Sequence, residues 1–185
     1  PSRAEPMTMR SPPYASPHHT ERTIMIRVGI GYDSHRYDQE RPLILGGYCV
    51  DHSYGLSGHS DADVLIHALV DAILGAAALG DIGRHYSNTD PQWRDVSSTI
   101  FLKDTLDLIR EHGWNLQQID ATIVAEQPTL SPAIDAIRES LAEILNIPLT
   151  AIGLKASTNE GMGWIGRREG MAVIAVATLA SRTDS

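Results

Sequence analysis

The stretch "SDADVLIHALVDAILGAAALG", residues 60–80, constrains the fold more than any other part of the chain. It is apolar on every side but one, where Asp63, His67 and Asp71 recur at i, i+4 and i+8. That period is helical and places the three on one polar stripe. Val64, Leu65, Leu69, Val70, Ile73 and Leu74 fill the other faces, and an alanine-rich second half permits close packing. Ser60 is expected to cap the helix, Asp61 and Asp63 to favour its N-terminus, and Gly80 to end it. His59 and Ser60 stand just before that N-terminus, a place that welcomes an anion.

The remaining segments alternate. "IMIRVGIGY" (24–32) reads as a strand, and "PLILGGYCV" (42–50) as a hairpin turning at Gly46-Gly47. Residues 95–113 form a second helix and 114–126 a strand. Residues 131–146 form a third helix, with Ser131 as cap and Pro132 in its first turn. "TAIGLKAST" (150–158) and "GMAVIAVATLA" (170–180) are the last strands, joined by a loop with four glycines. The order implies an α+β, two-layer fold: a mixed four-stranded sheet with helices on one face. The nearly all-apolar closing strand leaves an apolar second face, which subunit association would cover. Residues 1–24, rich in Pro, Ser and His, read as a disordered extension or a start-site artefact, and 25–185 as the folded domain.

A formal net charge of −8 argues against non-specific nucleic-acid binding. No apolar run is long enough to span a membrane. The single cysteine, Cys49, forms no internal disulfide, which points to a reducing compartment, and it reads as a small core residue. The expected location is cytoplasmic, with a plastid as the minority alternative that residues 1–24 leave open.

Chemistry concentrates at the end of the first strand, in "GYDSH". In extended chain, Asp33 and His35 point the same way, about 6–7 Å apart. With His67 they make a two-nitrogen, one-oxygen set that suits tetrahedral Zn²⁺ with one open position, where the ion acts as a Lewis acid. Taken alone, Asp33 capping a turn beside a surface His35 is the blander reading. Glu160 sits among Ser157, Thr158 and Asn159, oxygen ligands of the kind that suit Mg²⁺ or Mn²⁺ bridged to phosphates; a plain turn competes there too.

"GYDSH", "GHSDADVLIHALVDAILGAAALGDIG", "NTDP" and "STNEGMGWIGRREG", in this order and spacing, closely resemble the 2-C-methyl-D-erythritol 2,4-cyclodiphosphate synthases from about Arg27 to about Ala180. The resemblance implies a homotrimer with active sites between neighbours, working in the non-mevalonate route of isoprene and terpenoid biosynthesis. It implies a phosphorus–oxygen lyase. The substrate would be 4-diphosphocytidyl-2-C-methyl-D-erythritol 2-phosphate, and the products the cyclic diphosphate and CMP. By position, Asp33, His35 and His67 resemble the zinc ligands and Glu160 the ligand of a second ion, Mg²⁺ or Mn²⁺. His59 and Thr158 resemble the residues that steady the pentacoordinate phosphorus. Ser34, Ser60, Asp81, Ile82 and Gly83, with the loop Tyr86, Ser87, Asn88, Thr89 and Asp90, resemble the methylerythritol and phosphate contacts. The segment Ala125, Glu126, Gln127, Pro128, Thr129, Leu130 and Ser131 matches the loop that holds cytidine. Ser157, Asn159, Trp164 and Arg167 complete the implied contacts.

The implied reaction needs no strong base, since a phosphate monoester is already ionised near neutral pH; it needs two anions brought together. The chain departs from the family pattern at Thr129, where a lysine is common, at Trp164, where phenylalanine is, and at Arg168, where glycine is frequent. The analogy also places Arg167 and Glu169 near the trimer axis, beside an apolar cavity that can hold an isoprenoid diphosphate. The competing expectations are a zinc phosphodiesterase and a non-enzymatic trimer that binds isoprenoid diphosphates.

Overall fold

The alternation of small and large residues at the start of the folded chain sets the frame for everything after it. The structure, a computed structural model, describes residues 24–87, 90–93 and 96–182. The expected extension lies outside these but for Ile24. In chain order come β1 (Ile26–Asp38), the short strands β2 (Leu43–Leu45), β3 (Tyr48–Val50) and β4 (Gly55–Leu56), and the helices α1 (Val64–Ala77), α2 (Ile82–His85) and α3 (Thr99–Glu111). Then follow β5 (Trp114–Val124), α4 (Ile134–Leu145), β6 (Ile152–Ser157), α5 (Gly163–Gly166) and β7 (Gly170–Ser181).

The main sheet has the order β4-β1-β7-β5-β6, with β2 and β3 as a separate hairpin. β5 and β6 are parallel and the other pairs antiparallel, so the sheet is mixed. It has five strands rather than the expected four. The fifth, β4, is two residues long and pairs with Tyr37 and Asp38, too short to carry a periodic signal.

β1 sorts its side chains by parity. On one side Gly29 and Gly31 lie against the backbone of α1 at Ala72 and Ala68. On the other, Ile26, Val28, Ile30 and Tyr32 are 55–70% exposed. β7 follows suit: Val173, Ala175, Ala177 and Leu179 are buried against the helices, while Ile174 faces out opposite Tyr32. The helices cover one face of the sheet, and the other keeps a continuous apolar patch, as the sequence implied.

α1 is the centre of the core, with Leu65, Ile66, Leu69, Ile73 and Leu74 fully buried. Each such side chain contributes about 1.5–3 kcal/mol by leaving water, so the helix has little freedom to shift. Its ends differ from expectation. The N-cap is Asp63, not Ser60, and its carboxylate accepts the Ile66 N–H, so the helix start is already filled by an anion of the chain's own. The helix ends at Ala78, in the left-handed region at φ 60°, two residues before Gly80. Ser131 is likewise not a cap; it opens a 3-10 turn, Ser131–Ala133, that leads into α4. Cys49 is exposed rather than core, because the hairpin buries only Val50 among the residues of β3.

Candidate metal centre and substrate cleft

The parity that turns Gly29 and Gly31 toward α1 turns Asp33 and His35 the same way. The close approach of strand to helix brings His67 down onto them. Asp33 Oδ2 stands 2.9 Å from His35 Nε2 and 3.1 Å from His67 Nδ1, and the two histidine nitrogens are 3.2 Å apart. Among the described residues this is the one group of three or more metal-capable side chains within reach of a common ion. Ligands held about 2.0–2.1 Å from a tetrahedral ion stand about 3.3–3.4 Å from each other, so this triangle fits a divalent metal with little adjustment.

Partners on the outer side orient the rings. His35 Nδ1 is 2.6 Å from the Ser57 carbonyl, which can only accept, so Nδ1 carries the proton and Nε2 presents its lone pair to the triangle. Burial pushes the Asp33 carboxyl up, but the hydrogen bonds and charge of His35 and His67 in their protonated forms outweigh it and hold the group well below the usual carboxylate range. For His35, burial acts downward, and the hydrogen bond and charge of Asp33 prevail, so its pKa is raised.

The polar stripe of α1 divides its labour. Only His67 reaches the triangle. Asp63 is fully buried on the far side, where its carboxylate accepts the N–H groups of Gly46, Gly47 and Ile66. Burial raises its pKa to about 6 against the pull of those donors. Asp71 accepts the Ile82 N–H at 2.7 Å and so fixes the turn that begins α2. Asp81 caps that helix by accepting the Arg84 N–H.

The triangle opens into a cleft of about 380 Å³. His59, Ser60, Ile82, Gly83, Tyr86 and Ser87 line it, while Asn88 and Thr89 lie outside the described residues. Asp90 begins the next described stretch and accepts from Gln92. His59 Nδ1 is buried there with no hydrogen-bond partner.

A second cluster forms at the other edge of the same sheet end. Ala125 N–H donates to the Ser157 carbonyl, and one oxygen of Glu126 accepts the N–H groups of both Asn159 and Gly161. This binds the 125–131 segment to the turn carrying Thr158 and Glu160. Tyr37 and Tyr54 both donate to Gln127, to its carbonyl and its side-chain oxygen respectively. Thr129 and Ser131 are exposed and Leu130 is buried; Pro128 follows a cis peptide bond. Trp164 joins Ser34, His35, Arg36 and Glu169 around a separate hollow, and Arg167 pairs with Glu169 at 2.6 Å. Arg168 takes φ 62°, a conformation that favours glycine.

The triangle and the turn carrying Thr158 and Glu160 follow from strands that are not neighbours in the sheet. Ser34 pairs with Ala172, Ala172 with Val124 and Val124 with Ser157. Three strand spacings, about 14 Å, therefore separate Ser34 from Ser157.

The family model named "YgbB family" matches residues 26–180, nearly the whole described chain. The chain belongs to the YgbB family. A protein named 2-C-methyl-D-erythritol 2,4-cyclodiphosphate synthase, from Nostoc sp., is 50% identical over 88% of this chain and 98% of its own length. A solved structure of a synthase of that name in its CDP-bound form is 37% identical, with a TM-score of 0.76 over 83% of this chain and 99% of its own. The bifunctional IspDF from Campylobacter jejuni is 42% identical with a TM-score of 0.83; this chain covers 43% of that longer protein.

Several residues of this YgbB chain's cleft carry no periodic or motif signal. Trp93 and Phe101 pack on Tyr86 at 5.5 and 4.6 Å between ring centres and form an aromatic wall. Ser57 supplies only a carbonyl. Ser98 touches His67 from 31 residues away. The one signal available was rarity, since Phe101 is the single phenylalanine in the sequence.

Proposed function

We propose that this chain converts 4-diphosphocytidyl-2-C-methyl-D-erythritol 2-phosphate to 2-C-methyl-D-erythritol 2,4-cyclodiphosphate and CMP. The observation that carries the reading is the Asp33–His35–His67 triangle, set in a cleft of a chain half identical to a protein of that name. In this reading the triangle holds Zn²⁺, and Glu160 holds the second ion, Mg²⁺ or Mn²⁺. The bound ions supply positive charge that gathers the phosphates and offsets charge developing in the transition state.

The chain's own part is to position and to exclude water. An oxygen of the 2-phosphate bonds to the β-phosphorus, and the bond from that phosphorus to the CMP oxygen breaks. CMP leaves with the electron pair, and no water is consumed. His59, whose buried Nδ1 has no partner among the described residues, is suited to donate to the phosphoryl oxygens, with Thr158 opposite. Tyr86, Trp93 and Phe101 wall the cleft against solvent, which favours ring closure over hydrolysis.

The same reading makes the active unit a homotrimer, with the cytidine loop and Glu160 of one subunit facing the triangle of the next. Two observations support it: the exposed apolar face of β1 and β7, and the three strand spacings, about 14 Å, between Ser34 and Ser157 in one chain. The axial cavity of that trimer, near Arg167 and Glu169, would take an isoprenoid diphosphate; titration calorimetry with geranyl diphosphate tests this, and absence of heat refutes it. No helix among the described residues is long and apolar enough to cross a membrane.

Turnover in ¹⁸O-labelled water tests the reaction. The synthase reading expects cyclic diphosphate and CMP without solvent oxygen. Labelled phosphate in the products would mean a hydrolase instead.

A further inference from the structure

Outside the metal triangle, a buried chain of polar groups leads away from His67. His67 Nε2 lies 2.9 Å from Ser98 Oγ and 3.1 Å from Ser60 Oγ, and the two hydroxyls are 3.1 Å apart. Ser98, fully buried beside the N-terminus of α3, makes no cap hydrogen bond to its own helix. Its hydroxyl instead stands 2.5 Å from Asp61 Oδ1, and its backbone N–H donates to Asp61 Oδ2 at 3.0 Å. Asp61 Oδ1 also accepts, at 3.3 Å, the N–H of Asp63. The Asp61 N–H donates to the Val96 carbonyl at 3.1 Å, which locks the two segments together.

The direction of the bonds around Asp61 is forced. Backbone N–H groups only donate, and one meets each oxygen of Asp61, so both oxygens act as acceptors. The Ser98 hydroxyl must then give its proton to Asp61 and accept at its lone pairs. His67 Nε2 faces those lone pairs at 2.9 Å, nearer than Nδ1 stands to Asp33 Oδ2 at 3.1 Å, so the neutral ring carries its proton on Nε2. The remaining nitrogen, Nδ1, is the one that points at Asp33 and His35.

We infer that Asp61 is a positioning residue: through Ser98 it fixes His67 in the Nε2–H tautomer and so keeps Nδ1 free to bind an ion. The inference rests on the proposal that the triangle holds a metal. It gives this site a carboxylate–serine–histidine arm in place of a carboxylate bound directly to the ring.

Substituting Asp61→Asn tests the polarity with almost no change of shape. One side-chain position must now be NH₂. Facing the Ser98 N–H it would meet the stronger of the two backbone donors, so it turns to Ser98 Oγ and displaces only the 3.3 Å bond from Asp63. Ser98 then accepts from the introduced amide, and its own proton competes for His67 Nε2. Ser98→Ala removes the group that touches the ring but leaves Ser60 Oγ as an acceptor for Nε2–H. The relay therefore predicts an inverted order: the distant, isosteric change is the more harmful.

Two measurements decide it. In metal-free protein, above the imidazole titration range, ¹⁵N NMR should show His67 as the Nε2–H tautomer, its signals assigned by their loss in His67→Gln. In chelator competition with Zn²⁺, Asp61→Asn should weaken binding about 10- to 100-fold and Ser98→Ala by less than about tenfold. An Nδ1–H tautomer in the unaltered protein overturns the inference. So does Asp61→Asn binding within about twofold of the unaltered protein, or Ser98→Ala losing as much as Asp61→Asn. If the unaltered protein binds no divalent ion, the metal proposal fails, and the NMR result alone decides whether the arm sets the tautomer.

Discussion

Gly31 and Ala68 meet backbone to backbone: a methyl group on Gly31 would lie 2.0 Å from the Ala68 carbonyl oxygen. Gly29 repeats the contact one turn along, at 2.1 Å from the Ala72 carbonyl. The strand and helix are thus pressed together just before Asp33, and this lets His67 reach it. Gly31→Ala has no flexible side chain to push aside, so α1 itself must move. We expect a loss of about 3 kcal/mol or more, at the upper end of overpacking costs, together with weakened Zn²⁺ binding. Urea unfolding and metal titration check the pair of effects. Unchanged metal affinity in a folded Gly31→Ala protein would refute the link between packing and site.

That contact also marks the limit of what the sequence discloses. The glycines at 29 and 31, the apolar helix and the donors Asp33, His35 and His67 all follow local periods, and local periods survive in a one-dimensional reading. The polar stripe misled because Asp63, His67 and Asp71 share a helical face but not a depth: one is buried against a hairpin, one faces the triangle, one fixes the start of α2. Asp61 and Ser98 are 37 residues apart, and no local period links them, so only folding joins them. Cys49 and β4 were missed for the opposite reason, since two- and three-residue elements are too short to show which side they bury.

Asp63 should matter to stability and not to metal binding. Asp63→Ala leaves the N–H groups of Gly46, Gly47 and Ile66 without their acceptor, all close to the core. The expected cost is about 3 kcal/mol or more, somewhat relieved by ending the burial of a carboxyl. A thermal melt reads the loss, and Zn²⁺ affinity measured well below the melting temperature should stay near that of the unaltered protein. A melting temperature that does not move would show that the turn is held by other means.

The metal-free and metal-loaded proteins should respond to pH with opposite signs. Without metal, the raised pKa of His35 contributes stability that is complete below 6.5 and is lost as pH rises through the folded value. The depressed pKa of Asp33 contributes stability present above 3.8 and lost as pH falls through its folded value. The pair thus helps most between those limits and fades on the alkaline side. Metal requires a neutral His35, so binding expels its proton and strengthens with pH. Melting temperatures between about pH 6 and about pH 8 should fall with a chelator present and rise with saturating Zn²⁺. Parallel slopes in the two conditions would separate His35 from metal binding.

The proposed division of the site between neighbours can be tested without disturbing the interface. His67→Ala removes one of three ligands and should abolish turnover, and Glu160→Ala should abolish it by loss of the second-ion ligand. If each site pairs His67 of one subunit with Glu160 of the next, mixed trimers regenerate intact sites from two inactive proteins. A site is whole only when a Glu160→Ala subunit supplies the triangle and a His67→Ala subunit supplies the opposite wall. With random mixing at equal amounts, about one quarter of the sites meet that condition. Unfolding and refolding the two variants together should therefore recover up to about a quarter of the unaltered rate, while each refolded alone stays inactive. If His67 and Glu160 of one chain served the same site instead, every site would carry one lesion or the other. Co-refolding would then recover nothing, even with trimers confirmed by sedimentation, and the shared-site arrangement would have to be given up.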